Sequence, residues 1–279
     1  QKNLIEQLKN DLNYGLNISP RASVFFIPFI EEKQLFQKNA IDLIPANAIG
    51  KPTLVAENKK HSIGAFDFNP ITKELYFTKI PIFNSWEPEI SEHSLLFKGV
   101  IDEETHRLKN EKEIHLKKVS NIYGIGEPAI SSDGSTMYFV SDMPGGEGGT
   151  DIYIVKKKEN GNWGKVENLG PAVNSKGDEL NPYIYDDTRL YFSSNGKPGY
   201  GGLDIFVAEI INNFDSVSNA SLLTRPINSS ADDFGITIHP INESLGIIVS
   251  NRSGGSGDDD LYMIHFTDIK PYVKGYVMN

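Results

Sequence analysis

The chain has 279 residues, 39% of them hydrophobic and 23% charged, with no cysteine and a formal net charge of −10. That balance argues against nucleic acid, whose phosphates call for a basic stripe, and the lack of cysteine removes disulfides and thiol catalysis. No stretch approaches the roughly 20 apolar residues of a membrane-spanning helix. Residues 1–12 carry Leu4, Ile5, Leu8 and Leu12 at helical spacing with polar residues opposite. They read as the end of a helix from an upstream region or, alternatively, as an outer strand that closes a ring. The chain opens at Gln1 without a charged and apolar leader pattern, so it reads as a piece excised from a longer precursor.

From Tyr14 the pattern changes to short β-branched and aromatic runs, too brief for helices. Tyr14-Gly15-Leu16-Asn17-Ile18-Ser19-Pro20 and Ser23-Val24-Phe25-Phe26 form the faintest copy of a unit that recurs along the chain. Phe66-Asp67-Phe68-Asn69-Pro70 and Leu75-Tyr76-Phe77 form the next, followed by an unrelated insertion over 80–93 that holds Phe83 and Trp86. Three clear copies follow. Each has a first strand (127–131, 181–185, 234–239), a turn, a second strand ending in Ser141-Asp142, Ser194-Asn195 or Ser250-Asn251, and a glycine-rich loop. Each loop leads into a third strand that starts at Asp151, Asp204 or Asp260, and a fourth strand is visible at 163–169. Glycines 146, 199 and 255, then 148, 201 and 257, stay in register. Four antiparallel strands per unit and a period above about fifty residues predict an all-β fold, a β-propeller. Five recurrences of the first strand predict five blades over residues 13–268, with residues 1–12 as a short helical segment.

The repeated residues also carry the candidate chemistry. The lead-in loops Asn174-Ser175-Lys176-Gly177-Asp178-Glu179 and Asn228-Ser229-Ser230-Ala231-Asp232-Asp233 stand in equivalent places before a first strand. In a propeller they share a face with the glycine loops. Asp178, Glu179, Asp232 and Asp233 are therefore candidate partner-binding residues of an acidic face; their alternative role is turn chemistry, with carboxylates bonding loop backbone. Phe83 and Trp86, beside Glu87, Glu89 and Glu92, form a second candidate docking site of the aromatic-anchor kind. Asp151, Asp204 and Asp260 each follow a run of glycines whose amides need an acceptor, so they are expected to brace the loops. Calcium is the alternative, with Asp258, Asp259, Asp260 and Asn251 as the richest oxygen set. The scattered histidines give no metal-ligand spacing, and no nucleophile motif or phosphate-cradling loop occurs. No catalytic residue, no metal ligand and no cofactor is assigned, and the chain is not expected to be an enzyme. The basic runs at 109–118 and 156–158 are interleaved or flanked by acids and read as solvated blade edges.

Leu190-Tyr191-Phe192-Ser193-Ser194, the run from Gly199 to Ile205, and Trp163 with Asn168-Leu169-Gly170 and Asn174-Ser175 resemble WD40-like repeats of the TolB type. Tyr272-Val273-Lys274-Gly275-Tyr276-Val277 resembles the first strand of a carboxypeptidase-regulatory-like domain, so 269–279 reads as the start of a further β domain. A propeller followed by such a domain is similar to the PorE-like OmpA-family proteins of Bacteroidetes, linked to type IX secretion. The resemblance implies a periplasmic, outer-membrane-associated scaffold that docks envelope proteins, such as an outer-membrane β-barrel or a secretion component. It implies peptidoglycan contact only through a domain outside this chain. The alternative is a glycan- or peptide-processing propeller enzyme, or a gate for its substrate, marked by carboxylates and aromatics such as Trp86 or Tyr200 converging on the central channel.

Overall fold

The structure is a computed structural model. It describes residues 24–26, 41–43, 53–56, 61–81, 93–102, 104–105, 107–116, 119, 123–239, 245–255 and 258–266. In chain order the first strands are β1 (Val24–Phe26), β2 (Ile41–Leu43) and β3 (Thr53–Ala56). Blade one follows as β4 (His61–Asn69), β5 (Glu74–Pro81), β6 (Leu95–Ile101) and β7 (Leu108–Glu113). Blade two is β8 (Ile125–Ile130), β9 (Thr136–Ser141), β10 (Asp151–Lys157) and β11 (Trp163–Asn168). Blade three is β12 (Glu179–Tyr185), β13 (Arg189–Ser194) and β14 (Asp204–Ile211), with a fourth strand split into β15 (Ser216–Val217) and β16 (Ser221–Leu222). Blade four is β17 (Asp233–Ile238), β18 (Leu245–Ser250) and β19 (Asp260–His265), completed by β2 from the opposite end of the sequence.

The fold is thus an all-β propeller of four antiparallel four-stranded blades, which corrects the five blades expected from the sequence. The difference lies in the first unit. Val24-Phe25-Phe26 does form a strand, but among the described residues β1 pairs with β3 alone, in a two-stranded sheet. The segment between them supplies β2, whose Ile41, Asp42 and Leu43 pair with Ile264, Met263 and Tyr262. The faint repeat therefore adds no blade, and the segment that follows it supplies, as β2, the fourth strand missing after Phe266. The short N-terminal helix of the predicted architecture is not borne out either: the described residues contain no α-helix, only the short 3-10 turn Gly170–Ala172. Residues 1–12 and 269–279 lie outside the described residues.

The aromatic doublets of the second strands explain the stacking of the blades. Adjacent side chains on a strand point to opposite faces, so a doublet buried at both positions needs a sheet on each side. Tyr138 packs towards blade three while Phe139 packs towards blade one, and Phe192 and Tyr191 face blades two and four. Tyr76, Phe77, Tyr138, Phe139, Phe192 and Ile248 have no measurable exposure. Cross-strand rings reinforce individual sheets: Phe139 stacks on Tyr153 at 5.9 Å and Phe192 on Phe206 at 5.8 Å. The first strands β4, β8, β12 and β17 lie innermost. Each has a bulge, between Ile63 and Phe66, Gly126 and Ala129, Leu180 and Tyr183, or Phe234 and Thr237.

Candidate functional site

The glycine loops join second and third strands, and their shape is set by the aspartate that follows. Asp204 accepts the amides of Tyr200 (2.8 Å) and Gly201 (3.0 Å) on one carboxylate oxygen. Asp151 accepts the Glu147 amide at 2.7 Å and the Asn168 side chain at 3.3 Å. The in-register glycines leave room for that carboxylate. A Cβ on Gly146, Gly199 or Gly255 would stand 1.6, 2.0 or 1.8 Å from an oxygen of Asp151, Asp204 or Asp260. Asp151 and Asp204 are each 1% exposed. Burial pushes the Asp151 carboxyl above its ordinary range, against the pull of its amide donors.

A second set of contacts fastens the loops of blades two and three to the blade that follows. Asn228, fully buried, accepts the Ile205 amide at 2.8 Å and donates to the carbonyls of Ile205 (2.9 Å) and Leu223 (2.7 Å). Asn174 does the same to Ile152, at 2.9 and 3.1 Å, across the preceding boundary. Asp178 accepts the Thr150 amide at 3.0 Å and Asp232 the Leu203 amide at 2.8 Å. Each of these two carboxylates also takes a side-chain donor from its own blade, Asn195 at 3.0 Å or Asn251 at 2.8 Å. These donors, Asn195 first, hold the Asp178 carboxyl below its ordinary range. Close backbone approach completes the latch: a Cβ on Gly148 would meet the Ser175 carbonyl at 2.4 Å, and one on Gly201 the Ala231 carbonyl at 2.0 Å.

Glu179 and Asp233 lie below the latch with no exposed surface. Glu179 accepts the Ser175 amide (2.7 Å) and the hydroxyls of Ser175 and Ser194, both at 2.6 Å. Asp233 accepts the Ser229 amide at 2.5 Å, the Ser250 hydroxyl at 2.6 Å and the Arg252 guanidinium. All four acids named as candidate docking residues thus have internal partners, and two of them are out of reach of any partner protein. Phe83 and Trp86 lie outside the described residues. Among the described residues no three or more His, Cys, Asp or Glu side chains gather where a metal could sit. The asparagines, whose repeat register was visible in the sequence, carry more of the latch than the sequence suggested.

Two other acids lie on the innermost strands. Asp67 on β4 accepts the amides of Phe68 and of Ile130 on blade two, both at 2.8 Å. Glu127 sits at the β8 bulge with φ 52°, a backbone state that disfavours side chains, and accepts the Asn181 amide from blade three at 2.5 Å. Burial raises both carboxyls, Asp67 to about 6. A carboxyl whose folded value is raised keeps its proton where the unfolded chain has lost it. Its stabilising effect is complete below the unfolded value of 3.8 and is lost as pH climbs through about 6. Over that window Asp67 is expected to lower stability by up to about 3 kcal/mol. Carbon-detected NMR titration of its carboxyl should give a midpoint near 6; an ordinary carboxylate midpoint refutes the assignment.

No protein family matches the chain, and no curated protein does. Among solved structures it is similar to a Hadza microbial sialidase, with 10% identity and a TM-score of 0.47 over 74% of this chain and 46% of that one. It is also similar to TolB from Acinetobacter baumannii, with 14% identity and a TM-score of 0.45 over 91% of this chain and 51% of that one. A luciferin-regenerating enzyme gives 12% identity and a TM-score of 0.48 over 91% and 77%. The chain spans about half the length of the sialidase and TolB structures. Strand pairing within the chain itself, described above, is what carries the propeller assignment.

Proposed function

We infer that the chain is a non-catalytic interaction scaffold of the bacterial cell envelope, the propeller module of an OmpA-like protein tied to type IX secretion or gliding machinery. One observation carries this reading: the repeated carboxylates of the loop face are engaged in bracing and latching, which makes that face a rigid platform. Periplasmic location and an envelope-protein partner, such as an outer-membrane β-barrel or a secretion component, come from the TolB-type and OmpA-family motifs. No described helix is long and apolar enough to cross a membrane. Peptidoglycan would be reached only through a domain outside this chain.

The enzyme alternative draws on the raised carboxyls of Asp67 and Glu127, which stand on neighbouring innermost strands. Both oxygens of Asp67, however, already accept amides, and Glu127 holds the Asn181 backbone, so a structural role accounts for them. The test is cross-linking of the tagged chain in envelope fractions, followed by reconstitution with the purified partner. A defined complex of this chain with one envelope protein is expected. Failure of every recovered protein to bind in purified form, or turnover of a glycan or peptide by the purified chain, would overturn the reading.

A further inference from the structure

The glycine loop of blade three departs from its siblings at one place: Tyr200 stands where blade two has Glu147 and blade four has Ser256. Nothing in the latch calls for an aromatic there. The Tyr200 amide is fixed by Asp204 and the following glycines by blade four, so the ring stands on a fixed backbone. Its side chain is nevertheless turned out, leaving Tyr200 40% exposed. Over it lies the guanidinium of Arg225, 5.0 Å from the ring centroid, from the segment leading into blade four. Arg225 is exposed, and among the described residues no carboxylate pairs with it.

The neighbouring charged groups are already engaged. Arg252 donates to the carbonyls of Pro226 (3.0 Å) and Ile227 (2.7 Å) and to Asp233. Asp204 and Asp233 are buried, and Asp232 is held by Leu203 and Asn251. What this junction offers outward is therefore a guanidinium held against an aromatic face. A planar fork of donors held against a ring is pre-organised for a carboxylate, and the ring accepts an apolar group beside it. Tyrosine and arginine are also, with tryptophan, enriched among the few residues that carry most of the binding energy of protein interfaces.

We propose that Tyr200 and Arg225 form a docking site for a protein segment carrying one acidic residue next to an aliphatic or aromatic one. The carboxylate takes Arg225, and the apolar neighbour covers Tyr200. A longer run of negative charge is disfavoured, since Asp258 and Asp259 are exposed on the adjacent glycine loop. This site rests on the scaffold reading and names the chemistry of its partner.

The test uses the whole chain, labelled for NMR, and a blocked glutamate–leucine–phenylalanine tripeptide as probe. Saturable shifts are expected at the amides of 199–203 and at Arg225 Nε. Binding should weaken at least about tenfold, the usual size of a loss at an interface arginine, in Arg225→Ala and in Tyr200→Ala. Both variants should melt like the parent, because both side chains are exposed. A glutamine counterpart that binds equally well would overturn the carboxylate, and shifts elsewhere or indifferent to both variants would overturn the site. A galacturonate trisaccharide that shifts these residues while the tripeptide does not would replace the peptide by an acidic sugar. If the tripeptide fails but the purified envelope partner still binds both variants, this site falls and the scaffold reading stands; if that partner fails with the parent chain too, the scaffold reading falls.

Discussion

Asp233→Ala is expected to cost about 3–5 kcal/mol in urea unfolding, the range for breaking a buried ion pair from one side. The residue has no exposed surface, and its removal leaves Arg252 without its anion and the Ser229 amide and Ser250 hydroxyl without an acceptor. Glu179→Ala is the internal comparison. Glu179 occupies the same place one blade earlier, but its donors are the Ser175 amide and the hydroxyls of Ser175 and Ser194, with no guanidinium. Its loss should therefore cost less, about 1–3 kcal/mol. Equal losses at the two positions would show that the Arg252 pair adds nothing.

Asn228→Ala should be nearly as damaging, at about 3 kcal/mol. The side chain pairs the buried Ile205 amide and the Leu223 carbonyl and adds a second donor to the Ile205 carbonyl, which also accepts the Leu223 amide; each buried group left without a partner costs about 1–3 kcal/mol. Asn228→Asp should do no better, because a carboxylate can accept from Ile205 but cannot donate to its carbonyl or to that of Leu223. Urea unfolding measures both, and a loss under about 1 kcal/mol would mean that the blade boundary relaxes to reach other partners.

Much of this could be read from the sequence, because the repeat carries it. The Tyr-Phe doublets at 138–139 and 191–192 announce strands covered on both faces, and the glycine columns at 146 and 199 match the carboxylates of Asp151 and Asp204. Blade number could not be read in the same way. Strand composition at Val24-Phe25-Phe26 indicates a strand but not its partner, and the partner proved to be β3 rather than a blade of its own. Likewise, nothing local in Ile41-Asp42-Leu43 says that it completes a sheet begun at Asp233. The acids of the loop face were legible as acids, while the direction of each carboxylate was not. Whether Asp178 faces solvent or the Thr150 amide depends on the neighbouring blade, which a pattern within one unit does not contain.

The direct test of the latch is hydrogen exchange at four amides whose acceptors are side chains of the next blade's lead-in loop. These are Thr150 and Leu203, bonded to Asp178 and Asp232, and Ile152 and Ile205, bonded to Asn174 and Asn228. The Ile152 and Ile205 amides should exchange as slowly as those of the buried second strands, since both need the blades to part. Thr150 should lose its protection in Asp178→Ala while Ile152 keeps most of its own. Rapid exchange at Ile152 and Ile205 in the parent chain, or protection at Thr150 that survives Asp178→Ala unchanged, would contradict neighbouring blades fastened by these side chains.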